Sequence, residues 1–336
     1  MSRLIYRSLI VLGAAGVLAA QGVSAQQAAQ AVQAGQAQRA QAPLPVLNPP
    51  PTVANAAYGL HPRQVIDFWK SSSAEPAPLV VFIHGGGWQA GDKTGIGNAR
   101  LKRILGAGFA AASINYRYTQ QAQADGIVPP VKAPLHDAAR AIQFIRSHAA
   151  EWNIDPKRVG ATGGSAGACT SLWLAFHPDL LDATSSDPIA RQSTRLQAAA
   201  VIGAQTSLDP HQMREWMPNM TYGAHAFGFR TADTDRKAEF QRFHEGRDSV
   251  LHFIREYSPY EQAGEGDPPI FMEYPAQDTP AVVGETQKDP THSAVFGLTL
   301  QKKLQAAGVE ARLSYPGALD PDFTDSLDFL LKKLAK

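Results

Sequence analysis

Residues 159–169 read VGATGGSAGAC, and the way this stretch must fold sets the architecture. Gly163-Gly164-Ser165-Ala166-Gly167 has the form G-x-S-x-G. It joins a strand-like run that ends in glycine (IDPKRVGATG, 154–163) to a strongly apolar helix-like run (AGACTSLWLAFH, 166–177). A serine between strand and helix in this way sits on a tight, strained turn, with its Oγ clear of the sheet. Small residues on both flanks let strand and helix approach. The N-terminus of the following helix favours negative charge that develops beside it. Ser165 is therefore the candidate nucleophile.

Upstream, PLVVFIH (78–84) is a short continuous apolar run, as for a strand buried on both faces. It leads into FIHGGGW (82–88). Consecutive glycines let the backbone turn several N–H groups toward one spot. Gly85 and Gly86, with the N–H of Ala166 after the serine, are the candidate oxyanion donors. His84 reads as a residue that holds this loop. A phosphate loop is excluded, because no GK[ST] and no helix follow the glycines.

Farther out, strand-like and helix-like runs alternate. RQVIDFW (63–69), FAAASINY (109–116), LQAAAVIGAQ (196–205), PPIFMEYP (268–275) and VEARLSY (309–315) read as strands. Residues 97–107, 133–152, 293–308 and 321–336 read as helices, with Gly308 ending the third and Asp320 or Asp322 capping the last. The expected fold class is α/β, a doubly wound, mostly parallel sheet with helices on both faces. Residues 206–262 interrupt the alternation with Met213, Trp216, Met217, Met220, Tyr222 and Phe243 among many charges. They read either as an inserted cap or as a helical excursion packed on the core. Trp88, Trp216 and Tyr222 are the candidate pocket walls.

The 336 residues carry a net charge of +1, which gives no reason to expect nucleic acid or an anionic membrane as partner. Arg3 and Arg7 precede a short apolar run (9–20) and then VSA (23–25). Residues 1–25 thus read as an export signal, too short in its apolar part to span a bilayer. Residues 26–52, Gln/Ala-rich and then Pro-rich, read as a flexible tether. A single α/β domain is expected over 53–336. The single cysteine, Cys169, can form no internal disulfide and reads as core packing. No His/Cys/Asp cluster has zinc-ligand spacing, so neither metal nor cofactor is expected.

Together HGGGW and GGSAG resemble the α/β-hydrolase superfamily, and within it the esterase/lipase group of the hormone-sensitive-lipase type. GDK (91–93), HDAARAIQFIR (136–146) and SPYEQA (258–263) are placed similarly. The resemblance implies Asp137 as a helix-anchoring residue. It also implies the catalytic order serine, acid, histidine. The acid would follow the strand 268–275, where Asp278 stands; Glu273 and Asp289 are the alternatives. The histidine should come shortly after YPG (315–317), but no histidine occurs from 293 onward. His292 is the sole candidate beyond Asp278, with helix capping or solvent exposure as its other reading. His225, His244 and His252 could serve only by breaking the order. GGSAGACTSLWLAFH and DPIARQSTRL are similar to a subgroup of exported bacterial hydrolases with a histidine before FG.

The resemblance implies an exported serine ester hydrolase, in the periplasm or outside the cell, acting on a short-chain, aryl or carbohydrate ester. HGGGW is also similar to feruloyl and acetylxylan esterases and kynurenine formamidases. An amidase or peptidase on the same site, and a binding protein that kept the elbow but lost its base, are the other readings.

Overall fold

The computed structural model describes residues 44–230 and 235–335. The expected export signal (1–25) and most of the expected tether lie outside the described residues. The fold is built on one eight-stranded sheet in the order β1-β2-β4-β3-β5-β6-β7-β8. The strands are β1 (Val53–Ala57), β2 (Val65–Trp69), β3 (Ala77–Ile83), β4 (Ala110–Ile114), β5 (Ile154–Gly164), β6 (Ala198–Ile202), β7 (Ile270–Glu273) and β8 (Ala311–Ser314). β4, β3 and β5 to β8 run parallel, while β1 and β2 pair antiparallel at one edge.

Both faces of the central strands are buried. Leu79, Val81 and Ile83 of β3 enter one apolar cluster, whereas Val80 and Phe82 enter the other. Alternate side chains of a strand point to opposite faces, so a strand with helices on both sides is apolar throughout. Helices α1 (Asn98–Gly106), α2 (Lys132–Ser147) and α3 (Ala166–Phe176) follow β3, β4 and β5. Every residue of α3 is buried, which its unbroken apolar composition requires.

The structure departs from the sequence reading at three places. β1 was not expected, because VANAA is short, small-sided and largely exposed, without the apolar alternation that marks a strand. The expected tether ends too late: Leu47 is buried. Trp69 Nε1–H donates to the Pro49 carbonyl at 2.9 Å, and Lys70 N–H donates to Thr52 Oγ1 at 3.0 Å. The packed domain therefore begins before residue 53. The last helix spans Ser326–Leu334, with Asp325 at its N-cap accepting from the Asp328 N–H. Asp320 instead accepts from the N–H groups of Asp322 and Phe323 in the preceding turn.

Residues 206–262 form helices α4 (Pro210–Trp216), α5 (Arg236–Glu245) and α6 (Leu251–Tyr257) with short turns between. Met213, Met217, Met220, Phe240 and Phe243 join the same apolar cluster as α3. Arg247 clamps Asp209 through Nη2 at 2.6 Å. The described parts of the segment thus pack on the core through these apolar side chains. Helices α7 (Val295–Ala306) and α8 (Ser326–Leu334) flank the last strands.

Candidate active site

The site is assembled at the C-terminal ends of β3, β5, β6 and β7. Ser165 has φ 53 and ψ −120, a conformation that non-glycine residues adopt only at a cost. Its neighbours make that conformation possible. A Cβ on Gly163 would lie 2.4 Å from the Ile83 carbonyl oxygen, and one on Gly167 only 2.0 Å from it. Only glycine lets β5, β3 and α3 approach so closely. The Ser165 N–H is bonded to the Ile202 carbonyl at 2.9 Å, which ties the turn to β6.

Ser165 Oγ lies 3.0 Å from His292 Nε2, and His292 Nδ1 lies 2.8 Å from Asp289 Oδ2. A carboxylate can only accept, so Nδ1 carries the hydrogen and Nε2 presents its lone pair to the serine O–H. The turn Pro290–His292 explains how residues three apart in sequence meet. Asp289 caps this single 3₁₀ turn: Oδ1 accepts from the Thr291 N–H at 3.0 Å, leaving Oδ2 for the imidazole. Gln205 Nε2 donates to the Thr291 carbonyl at 2.6 Å. Gln277 Oε1 accepts from the Ala294 N–H at 2.8 Å. These bonds hold the turn against the loops after β6 and β7.

Asp278 does not reach His292. Its carboxylate is ion-paired with Lys288 Nζ, and both side chains are substantially exposed. The expectation placed the acid directly after β7; here that loop turns outward, and the chain supplies a carboxylate later, next to the histidine itself. Glu273 is also elsewhere, with Oε2 accepting from the Ser326 N–H at 3.0 Å. The pattern Asp-Pro-Thr-His was the available signal, because an aspartate before proline is a natural N-cap for a tight turn.

The HGGGW loop borders the serine. Among the described residues, no acceptor is bonded to the N–H of Gly85, Gly86 or Ala166. The loop is braced from behind. Tyr116 O–H donates to the His84 carbonyl at 2.7 Å, and His84 Nδ1 lies 2.8 Å from the Gly85 carbonyl. Burial, with Arg63 nearby, brings the His84 pKa down to about 4, so the ring is neutral at pH 7 and Nε2 faces Arg63 Nη2 at 3.3 Å. Asp137 is buried under Arg117, at 2.7 Å, and takes the Gln64 amide at 2.7 Å. This anchors α2, as the resemblance implied.

Ser165 and His292 open into a cleft of about 520 Å³. Its walls include Phe82, Ile202, Tyr274, Pro275 and Ala276, with Arg100 and Asp92 as charged members. None of the three expected wall residues lines it. Trp88 is fully buried with Nε1–H on Thr170 Oγ1 at 2.9 Å. Trp216 packs edge-on against Tyr260 and Phe296. Tyr222 lies against Gly87 and His225 and is not among the residues that line the cleft. Sequence reasoning favoured the tryptophan beside the glycine loop and two aromatics of the 206–262 segment, but Trp88 and Trp216 are core residues and Tyr222 packs against the core. The actual walls are strand-end residues whose direction depends on register. Cys169 is buried, and burial pushes its thiol pKa far up. Among the described residues, no helix is long and apolar enough to cross a membrane.

A serine on a strand–helix elbow, bonded to a histidine–aspartate pair at the C-terminal edge of a mostly parallel sheet, defines an α/β hydrolase. The chain belongs to the BD-FAE family, whose model matches residues 66–288. The match thus ends one residue before Asp289. Esterase LipC of Mycobacterium tuberculosis is 30% identical over 156 residues, covering 45% of this chain and 33% of that protein. A probable isoprenylcysteine alpha-carbonyl methylesterase of Arabidopsis thaliana, ICMEL1, is 28% identical over 142 residues, covering 42% and 28%. The chain thus matches about a third of the length of these curated relatives. Among solved structures, a truncated carbohydrate esterase from gut microbiota superposes with a TM-score of 0.61 at 20% identity, covering 84% of this chain and 96% of that one. Native esterase 2 of Thermogutta terrifontis gives 0.56 at 22% identity, with 86% and 92% covered. These two share the fold.

Proposed function

We propose that the protein is an exported serine hydrolase of carboxylic esters that works through an acyl-enzyme. One observation carries the reading: the unbroken chain Ser165 Oγ–His292 Nε2–His292 Nδ1–Asp289, at 3.0 and 2.8 Å. In this mechanism Ser165 attacks the ester carbonyl as His292 takes its proton. His292 then gives that proton to the leaving alcohol. Asp289 fixes the tautomer and stabilises the imidazolium. The N–H groups of Gly85, Gly86 and Ala166 receive the negative charge of the tetrahedral oxygen, each worth about 3–4 kcal/mol in sites of this kind. Water, activated by the same histidine, then releases the acid and restores the serine.

The esterase names carried by the relatives and neighbours support an ester over an amide, and a carbohydrate ester is among the substrates this reading admits. The hydrogen-bonded base weighs against a binding protein that has lost its chemistry. Export rests on residues 1–25 and predicts a mature chain beginning at Gln26.

The test is labelling and turnover with a serine-directed phosphonate and a short-chain aryl ester. Wild type should be labelled at Ser165 and turn over the ester. Ser165→Ala should lose both, and a matched amide should be the poorer substrate. Labelling at another residue, or no turnover of any ester by folded protein, would refute the reading.

A further inference from the structure

We propose that Arg100 is an anion-binding residue of the Ser165 cleft, and that the preferred ester carries a carboxylate. The proposal rests on the hydrolase reading and narrows it to a substrate class.

Arg100 lies in the first turns of α1 and lines the cleft that holds Ser165 and His292. Its guanidinium stacks over the Phe82 ring at 4.8 Å. One donor is used, with Nη1–H on the Ile96 carbonyl at 3.1 Å. Among the described residues no carboxylate stands within ion-pair distance of it, and its other N–H groups have no protein acceptor. The nearby acids are committed: Asp325 is held by both terminal nitrogens of Arg103 at 2.6 and 3.0 Å, and Glu273 by the Ser326 N–H.

Most other cations with little exposed surface in this fold are paired. Lys93 meets Asp67, Arg117 meets Asp137 and Arg247 meets Asp209, each at 2.6 to 2.7 Å. Arg146, half-buried and without a carboxylate, spends its donors on the carbonyls of Pro156, Ser193 and Arg195. Arg100 is the one arginine or lysine that lines the Ser165 cleft, and only one of its donors has a protein acceptor among the described residues. Burial, with Arg103 nearby, weakens its hold on the proton, and the more distant carboxylates of Glu273 and Asp325 offset this only in part. A planar donor fork in that state binds a carboxylate with charge-assisted hydrogen bonds.

The rest of the cleft fixes where the charge sits. Phe82, Ile202, Tyr274, Pro275 and Ala276 give an apolar path. Asp92, the other charged wall residue, is already satisfied by the Thr94 N–H at 2.9 Å and Asn115 Nδ2 at 2.8 Å. Although burial raises its pKa, those hydrogen bonds outweigh burial and hold it below the usual carboxylate value. Asp92 therefore stays anionic and repels a second anion near itself. The substrate that fits has its ester at Ser165, an uncharged aliphatic or aryl body along the apolar walls, and its carboxylate at Arg100.

The test compares wild type, Arg100→Leu and Arg100→Lys on two matched pairs. Phenyl hydrogen adipate against phenyl hexanoate puts the charge on the acyl side. 4-Acetoxybenzoate against 4-acetoxybenzamide puts it on the alcohol side. Wild type should favour the anionic member of one pair, through a lower KM. In Arg100→Leu the ratio of anionic to neutral kcat/KM should fall about tenfold or more, while Arg100→Lys keeps the direction of the preference. No anionic preference in wild type, or equal losses on both members in Arg100→Leu, would overturn it. Phosphonate labelling of Ser165 in each variant reports an intact site. If no ester is turned over, the hydrolase reading itself falls. Calorimetric binding of adipate and 4-hydroxybenzoate to wild type and Arg100→Leu then decides the anion site: binding lost in the variant supports it, and absent or unchanged binding ends it.

Discussion

The two walls of the cleft are built on different principles. On one side, β3, β5 and the start of α3 bring main chain against main chain. Gly163 and Gly167 leave no space for a Cβ, and Ser165 is locked at φ 53. On the other side, the base and the acid stand on a single turn at the surface. The side chains of His292 and Asp289 are 36% and 53% exposed, and bonds from Gln205 and Gln277 hold the turn in place. The nucleophile's position is thus a steric consequence of close-packed backbone. The base's position is a matter of side-chain hydrogen bonds, which a different loop could supply as long as it delivers a nitrogen to the serine.

That contrast is broken most directly at the exposed wall. Replacing His292 with alanine removes the base that is hydrogen-bonded to Ser165, and the expected loss in kcat is about ten-thousandfold or more. Asp289→Ala leaves the imidazole free to rotate and to take the wrong tautomer, with an expected loss of about a thousandfold or more. Both are read from initial rates on an aryl ester, with the fold checked by circular dichroism. A loss below tenfold for Asp289→Ala would show that the acid lies elsewhere.

The difference between the walls also accounts for what could be read from sequence. The elbow and the glycine loop beside it were legible because sterics demand particular residue types at fixed spacing. His292 was reachable by elimination, since no histidine follows it. Asp289 was passed over for Asp278. Both aspartates lie in the same loop, and only the turn geometry distinguishes a carboxylate facing the imidazole from one facing Lys288. Trp88, Trp216 and Tyr222 misled because neither size nor a place beside a motif or in the 206–262 segment says which way a side chain points. The parallel sheet was plain from apolar runs buried on both faces. The edge strand β1 was not, because its small exposed residues carry no periodic signal.

The packed wall should respond through stability. In Gly167→Ala, the new methyl group would overlap the Ile83 carbonyl, with Cβ at 2.0 Å, and the His84 carbonyl at 2.6 Å. Neither is the end of a flexible side chain. The backbone must move, and the expected cost is about 3 kcal/mol or more. Urea denaturation of wild type and variant measures it. A change under 1 kcal/mol would mean that the elbow is looser than its contacts require, and the contrast with the exposed wall would lose its basis.

The smallest effect is expected at Asp278, and it sharpens the comparison most finely, because Asp278 and Asp289 share one loop. Asp278 reaches only Lys288, and that pair stands in solvent, where attraction between charges is screened and gains little over hydration. Nothing links it to the imidazole. Asp278→Ala should therefore leave kcat/KM for an aryl ester within about twofold of wild type, measured beside Asp289→Ala under the same conditions. If Asp278→Ala instead lost activity to a similar degree, the loop would have to rearrange during turnover so that Asp278 replaces Asp289. The surface turn would then be a moving part of the site, while the glycine-packed wall stays fixed.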